Sequence, residues 1–284
     1  MSWGICIYCG KGGVSLSDEH VVPYAIGGRN SLVLKDASCE SCAVITSKFE
    51  RNVMRGLWGD ARIAFDAPTR RPARRKKHLP MPSWGGRDSI AIPASEYPAG
   101  FVFYIMDVAG ILRGFSEDKD VSGGWQMEVI TDDERQKRFL AKHIGRELGL
   151  SFRHVPDDFA RMIVKIGYGQ VVERLTPWID FLPFCTPYIL GSKTNVSFIV
   201  GTNPERQPPT PNEGYVLRTV GVGSFDRFTL LASVRLLSNA HTPTYHVVVG
   251  EVVGAGRVQV ALRKLGDTEA IPLQEDDSFP SNLF

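Results

Sequence analysis

Residues 6–42 read CIYCGKGGVSLSDEHVVPYAIGGRNSLVLKDASCESC, and this stretch decides the fold of the N-terminal part. It holds two C-x-x-C pairs, Cys6/Cys9 and Cys39/Cys42, separated by 29 residues. The tight turn of each pair brings positions i and i+3 together, so both sulfurs can face one ion; four thiolates suit tetrahedral Zn2+. Without a secretory signal, such pairs read as a metal site or a redox dithiol rather than as disulfides. A redox dithiol requires a βαβ setting, which the pattern does not offer. Residues 1–60 are short and Gly-rich, so they need a staple, and structural zinc on Cys6, Cys9, Cys39 and Cys42 is the expectation.

Working outward, a strand is expected near His20–Pro23, a turn at Gly27-Gly28 and a second strand near Leu32–Leu34. A helix follows from about Glu40 to Trp58, with Val44, Ile45, Phe49, Val53, Met54 and Leu57 near helical spacing. The order Glu19-His20-Val21-Val22-Pro23, Gly27-Gly28, Asn30 and the second cysteine pair, followed more loosely by ITSKFE, resembles the HNH family of endonucleases. The resemblance covers roughly residues 4–58. It implies the ββα-metal fold and a metal-dependent endonuclease that hydrolyses phosphodiester bonds in nucleic acid, DNA ahead of RNA.

By that resemblance His20 is the general base and Glu19 a ligand of a catalytic Mg2+ or Mn2+, with Asp18 as a second candidate. Asn30 positions the His-bearing loop. The chemistry is consistent: a neutral imidazole can take a proton from water, and a hard divalent ion prefers carboxylate oxygen. Adjacent strand residues point to opposite faces, so Glu19 and His20 share one site only where the chain twists. The family usually places a second metal ligand directly after the last cysteine. Here that position is Ala43, which has no donor. Thr46, on the same helix face, or Glu50, one turn further, would have to replace it. Ala43 therefore keeps a second reading open: a non-catalytic zinc-binding module that docks nucleic acid or a protein partner.

The chain has 284 residues, 43% hydrophobic and 23% charged, which suits a globular protein of one small and one larger domain. No apolar run approaches the roughly 20 residues of a membrane span, and the first ten residues do not read as a signal, so a cytoplasmic location is expected. Net charge is +2, but residues 1–86 hold thirteen Lys and Arg against seven Asp and Glu. The N-terminal part is thus the one suited to a polyanion. Much of the excess lies in PTRRPARRKKHLPMP, residues 68–82. Arg70, Arg71, Arg74, Arg75, Lys76 and Lys77 there form an arm for phosphates or a solvated linker. No aromatic residue interleaves with them, so base stacking by the arm is not expected.

The expected organisation is α+β: an HNH-like zinc domain at 1–66, a basic Pro-rich linker at 67–86 and a mixed α+β domain at 87–284. In the last, strands are expected within 89–131, helices at 132–148 and 156–175, and strands from 195 to 265, including RVQVALRKL at 257–265. Residues 275–284 read as a loose tail. The stretch holds no P-loop, dinucleotide fingerprint or nucleophile elbow. Recognition, sensing or oligomerisation, through a homodimer or a partner protein, is its expected role. Cys185, His143, His154, His241 and His246 lack the company of ligands and read as structural.

Overall fold

A computed structural model describes residues 4–83, 88–176, 180–211, 214–265 and 270–272. The expected tail at 275–284 and the end of the expected linker, 84–86, lie outside the described residues.

The first elements are β1 (Leu16–His20), a one-turn α1 (Tyr24–Gly27), β2 (Val33–Cys39) and α2 (Glu40–Arg51). β1 and β2 pair antiparallel, with Glu19 opposite Leu34 and His20 opposite Val33, and a bulge interrupts the register between Ser17 and Glu19. This is a ββα unit. α2 continues without a break into a π-helical segment, Asn52–Leu57, and then α3 (Gly59–Ala64), so the expected helix to Trp58 runs through a wider turn at its end.

The basic stretch is partly packed. Pro72–Arg74 forms a 3-10 turn, and β3 (His78–Pro82) pairs with β4 (Ser89–Pro93). Alternation explains β3: Leu79 and Met81 point inward while His78 and Pro80 are exposed. Next come the hairpin partners β5 (Gly100–Ile105) and β6 (Gln126–Thr131), then α4 (Asp133–Lys142) and α5 (Pro156–Leu175). Asp132 caps α4 by accepting from the Arg135 N–H at 3.0 Å, and Pro156 opens α5.

The rest is β7 (Leu182–Pro183), α6 (Thr186–Leu190), β8 (Val200–Thr202), β9 (Tyr215–Gly223), β10 (Arg227–Leu236), β11 (Thr244–Val253), α7 (Ala255–Leu265) and β12 (Ala270–Pro272). One sheet runs β12-β9-β10-β11-β7, with β8 also on β11. The strand expected at 257–265 is instead α7. Its alternation is local: Val258, Ala261 and Leu265 bury one helical face against the sheet, and Gly254, at φ +101, turns the chain out of β11 just before it. The 3-10 turn Val196–Phe198 likewise replaces the start of the strand expected at 196–200.

α5 is the axis of the molecule. It packs on β9, β10 and β11 and on α2. Fourteen of its twenty residues are buried, so it is enclosed on every side rather than lying on a surface. One hydrophobic core accordingly runs from Cys6, Val21, Val22 and Phe49 through Ile163 and Ile166 to Val247 and Leu265. The approach of α5 to the ββα unit is close enough to demand glycine. A Cβ on Gly169 would lie 2.7 Å from both methyls of Val21.

Candidate nuclease site and its zinc scaffold

The cysteine pairs meet. The ligand atoms of Cys6, Cys9, Cys39 and Cys42 all lie within 4.8 Å of one another. Cys9 Sγ is 3.7 Å from Cys39 Sγ, close to the roughly 3.8 Å edge of a tetrahedron with Zn–S bonds of about 2.3 Å. The first pair sits on a turn closed by Gly10 N–H to Cys6 O at 2.8 Å, with Gly10 at φ +71. The second pair straddles the β2–α2 junction, so that Cys39 ends the strand and Cys42 lies in the first helical turn. The Cys39 N–H donates to Cys6 Sγ at 3.4 Å. Hydrogen bonds from Ser41 and from Cys42 N–H push the Cys39 thiol down to about 6, whereas burial raises the Cys9 and Cys42 thiols. These four residues are placed to hold one metal ion, and the all-sulfur donor set is consistent with zinc.

The β1 end holds the other expected residues. His20 is half-buried. Its Nε2 accepts from an Arg70 guanidinium nitrogen at 2.8 Å, while its Nδ1 is buried with no hydrogen-bond partner. Burial first, then the charges of Arg70 and Lys165, hold its pKa below the ordinary value, so the ring is neutral at pH 7. Arg70 also lies over the Tyr24 ring, 5.1 Å from its centroid, which fixes the guanidinium beside the imidazole.

Glu19 turns the other way, inward, as strand alternation requires. It is 5% exposed and its Oε1 lies 2.5 Å from Lys165 Nζ. Glu50 reaches the same ammonium at 2.6 Å. Burial would push Lys165 down, but the two carboxylates hold its pKa above the ordinary value, so it is charged. Burial raises Glu50 against the pull of Lys165. The structure thus brings Glu19 and Glu50 together, around a lysine. Thr46 is buried, with its hydroxyl donating to Ala43 O at 3.2 Å. Asp18 is exposed and paired with Lys35 at 2.6 Å. Asn30 is exposed at the end of a 3-10 turn, where its carbonyl accepts from the Tyr215 hydroxyl at 2.5 Å.

Residues 6–55 match the model of the HNH endonuclease family. No curated protein and no solved structure gives a match to the chain. The HNH segment therefore coincides with the ββα unit, both cysteine pairs, Glu19, His20 and Glu50. Two residues that bear on it lie outside it. Arg70 belongs to the basic arm, and Lys165 comes from α5. Lys165 left a trace in the sequence, as a single charge inside the apolar run MIVKIGYGQVV.

The basic arm lines a cleft beside the HNH helices. Arg71, Arg74, Arg75 and Lys76 from the arm face Arg55 and Arg62, with Asp60 the acidic residue among them, around about 550 Å³. Arg75 is tied to Asp66 and to the Ala67 carbonyl, whereas Arg71, Arg74, Lys76 and Lys77 are exposed. Among the described residues no helix is long and apolar enough to cross a membrane. Cys185 is buried against the Val248 and Val249 carbonyls, and His246 is buried between Ala109 N–H and Asn203.

Proposed function

We propose that this protein is an endonuclease that hydrolyses phosphodiester bonds in nucleic acid, DNA ahead of RNA, with His20 as the general base. The observation that carries the reading is the neutral, half-exposed imidazole at the end of β1 in the HNH segment, engaged by an arginine of the basic arm. The lone pair at Nε2 that holds Arg70 is the one that would accept a proton from the attacking water. A phosphate drawing the Arg70 guanidinium onto its own oxygens would free that lone pair and place charge where the transition state needs it. Arg55, Arg71, Arg74, Lys76 and Lys77 would hold the flanking backbone. Zinc on the four cysteines would supply structure, keeping β2 and α2 in place.

The catalytic divalent ion does not fit the seated arrangement. Glu19 and Glu50 are bonded to Lys165, and Thr46 is buried. The same observation favours one alternative, a zinc-stapled module that binds nucleic acid, or a protein partner, without cutting. Residues 87–284 would serve recognition, sensing or oligomerisation, and because one site cuts one strand, double-strand cleavage would need a second copy.

Zinc-loaded protein incubated with supercoiled plasmid, with and without Mg2+ or Mn2+, tests the reading. Nicking by the wild type or by Lys165→Met, abolished by His20→Ala, is expected. Tight binding with no cleavage by either protein in any metal would establish the binding module instead.

A further inference from the structure

The carboxylate that the HNH order assigns to a divalent ion already has a cation. Lys165 Nζ donates to Glu19 Oε1 at 2.5 Å, to Glu50 Oε1 at 2.6 Å and to the His20 carbonyl. An ammonium has three N–H donors, and these bonds, with a longer one to Val21 O at 3.5 Å, use them all. The Lys165 side chain is 1% exposed, and it is carried by a helix with no slack: Gly169, one turn on, meets Val21 where a methyl would clash. Mg2+ or Mn2+ would need near-octahedral oxygen donors at about 2.1 Å and would keep several waters. Here a buried ammonium bridges the two carboxylates and puts a positive charge where the ion would sit. The Tyr8 hydroxyl, on a residue 4% exposed, is buried beside Glu19 and Glu50.

We infer that Lys165 is the resident cation of the Glu19–Glu50 pair and excludes divalent metal from it while α5 is seated. A residue 145 positions downstream of His20 thereby decides the ion chemistry of the HNH segment. A divalent ion enters only when α5 draws Lys165 away or when the lysine is removed. Exclusion of metal goes beyond the nuclease reading and does not depend on cleavage, since it concerns uptake of the ion.

Mn2+ titration of the zinc-loaded full chain, followed by electron paramagnetic resonance of the free ion, tests it. The wild type should show no uptake that depends on Glu19. Lys165→Met should take up one Mn2+ per chain, and adding Glu19→Gln should abolish that uptake. Lys165→Met leaves two buried carboxylates facing each other and can fail to fold. Lys165→Met with Glu50→Gln, which keeps the net charge, is therefore titrated alongside and should also bind, more weakly. Glu19-dependent Mn2+ binding by the wild type overturns the inference, as does absence of uptake in either folded variant. If neither variant folds, the wild-type titration alone decides. A wild type that nicks no nucleic acid would defeat the functional reading and leave this titration untouched.

Discussion

Arg70 donates to Nε2 of His20 at 2.8 Å, linking the basic arm to the end of β1 across 50 residues of sequence. The bond requires a neutral imidazole with its lone pair on Nε2. Removing the guanidinium removes a charge that holds the His20 pKa down, so Arg70→Ala should move that pKa upward. A general base works when unprotonated, so the acid limb of the cleavage profile should move to higher pH in the same direction. Imidazole NMR of the two proteins across pH 4–8, with a pH–rate profile, checks this. An unchanged His20 titration would show that Arg70 does not sit on the ring in solution.

Zinc is expected at one ion per chain, measured by elemental analysis of purified protein. Cys6, Cys39 and Cys42 are also part of the common core with Val21, Phe49 and α5. Losing the metal should therefore destabilise far more than the ββα unit. Structural zinc contributes on the order of 10 kcal/mol in small domains, comparable to the whole stability of a typical folded protein. Cys42→Ser, or a strong chelator with warming, should abolish cooperative unfolding as seen by circular dichroism. Survival of the full transition without metal would show that zinc does not hold the fold.

The arm should act through charge alone. Arg71, Arg74 and Lys76 are exposed and line the basic cleft. Replacing each by Gln should weaken nucleic-acid binding to a similar degree on all sequences. The slope of log K against log salt should drop by about one for each phosphate that the arm no longer neutralises. A sequence-dependent weakening would instead indicate base readout.

Gly169→Ala tests the contact on which α5 is seated. The added methyl meets Val21 at 2.7 Å, and both residues are enclosed in the core. Overpacking of this kind costs about 1–3 kcal/mol. A fall of several degrees in melting temperature is expected. Lys165 would be pushed from its carboxylates, so some Glu19-dependent Mn2+ uptake should accompany the fall.

His246 gives the chain a weakness to acid. It is buried, its Nε2 accepts from Ala109 N–H at 3.1 Å, and burial pushes its pKa down to about 3. The unfolded chain binds this proton near pH 6.5, before the folded one does. Stability is therefore full above about 6.5 and falls as pH drops from there toward 3, by at most about 1.4 kcal/mol per unit. Urea unfolding of the wild type and His246→Gln at pH 7, 5.5 and 4 measures it. The variant should start lower at pH 7 and lose less on acidification. Parallel losses in both would assign the acid sensitivity elsewhere.

The cysteine quartet and the strand–strand–helix order around His20 were legible in the order of residues along the chain. Each of these rests on spacing within about 40 residues: two knuckles, a strand pair, a helix whose first turn carries Cys42. Backbone geometry and ligand chemistry act at that range, so order along the chain suffices. Against the HNH pattern it resembles, the sequence has Ala43 where that pattern carries a donor. Where alternation persisted without neighbours to fix it, as at 257–265, it misled, because Val258, Ala261 and Leu265 needed the sheet before their helical face had meaning. Only the tertiary structure decided what surrounds the β1 end. The return of Arg70 to the imidazole and the insertion of Lys165 between two acids are tertiary contacts, the second made by the packing of α5 against the ββα unit. Contacts across 50 to 145 residues carry no periodic signal. They are set by which apolar surfaces bury one another, and a charged side chain on such a surface goes where the packing leaves it a counter-charge.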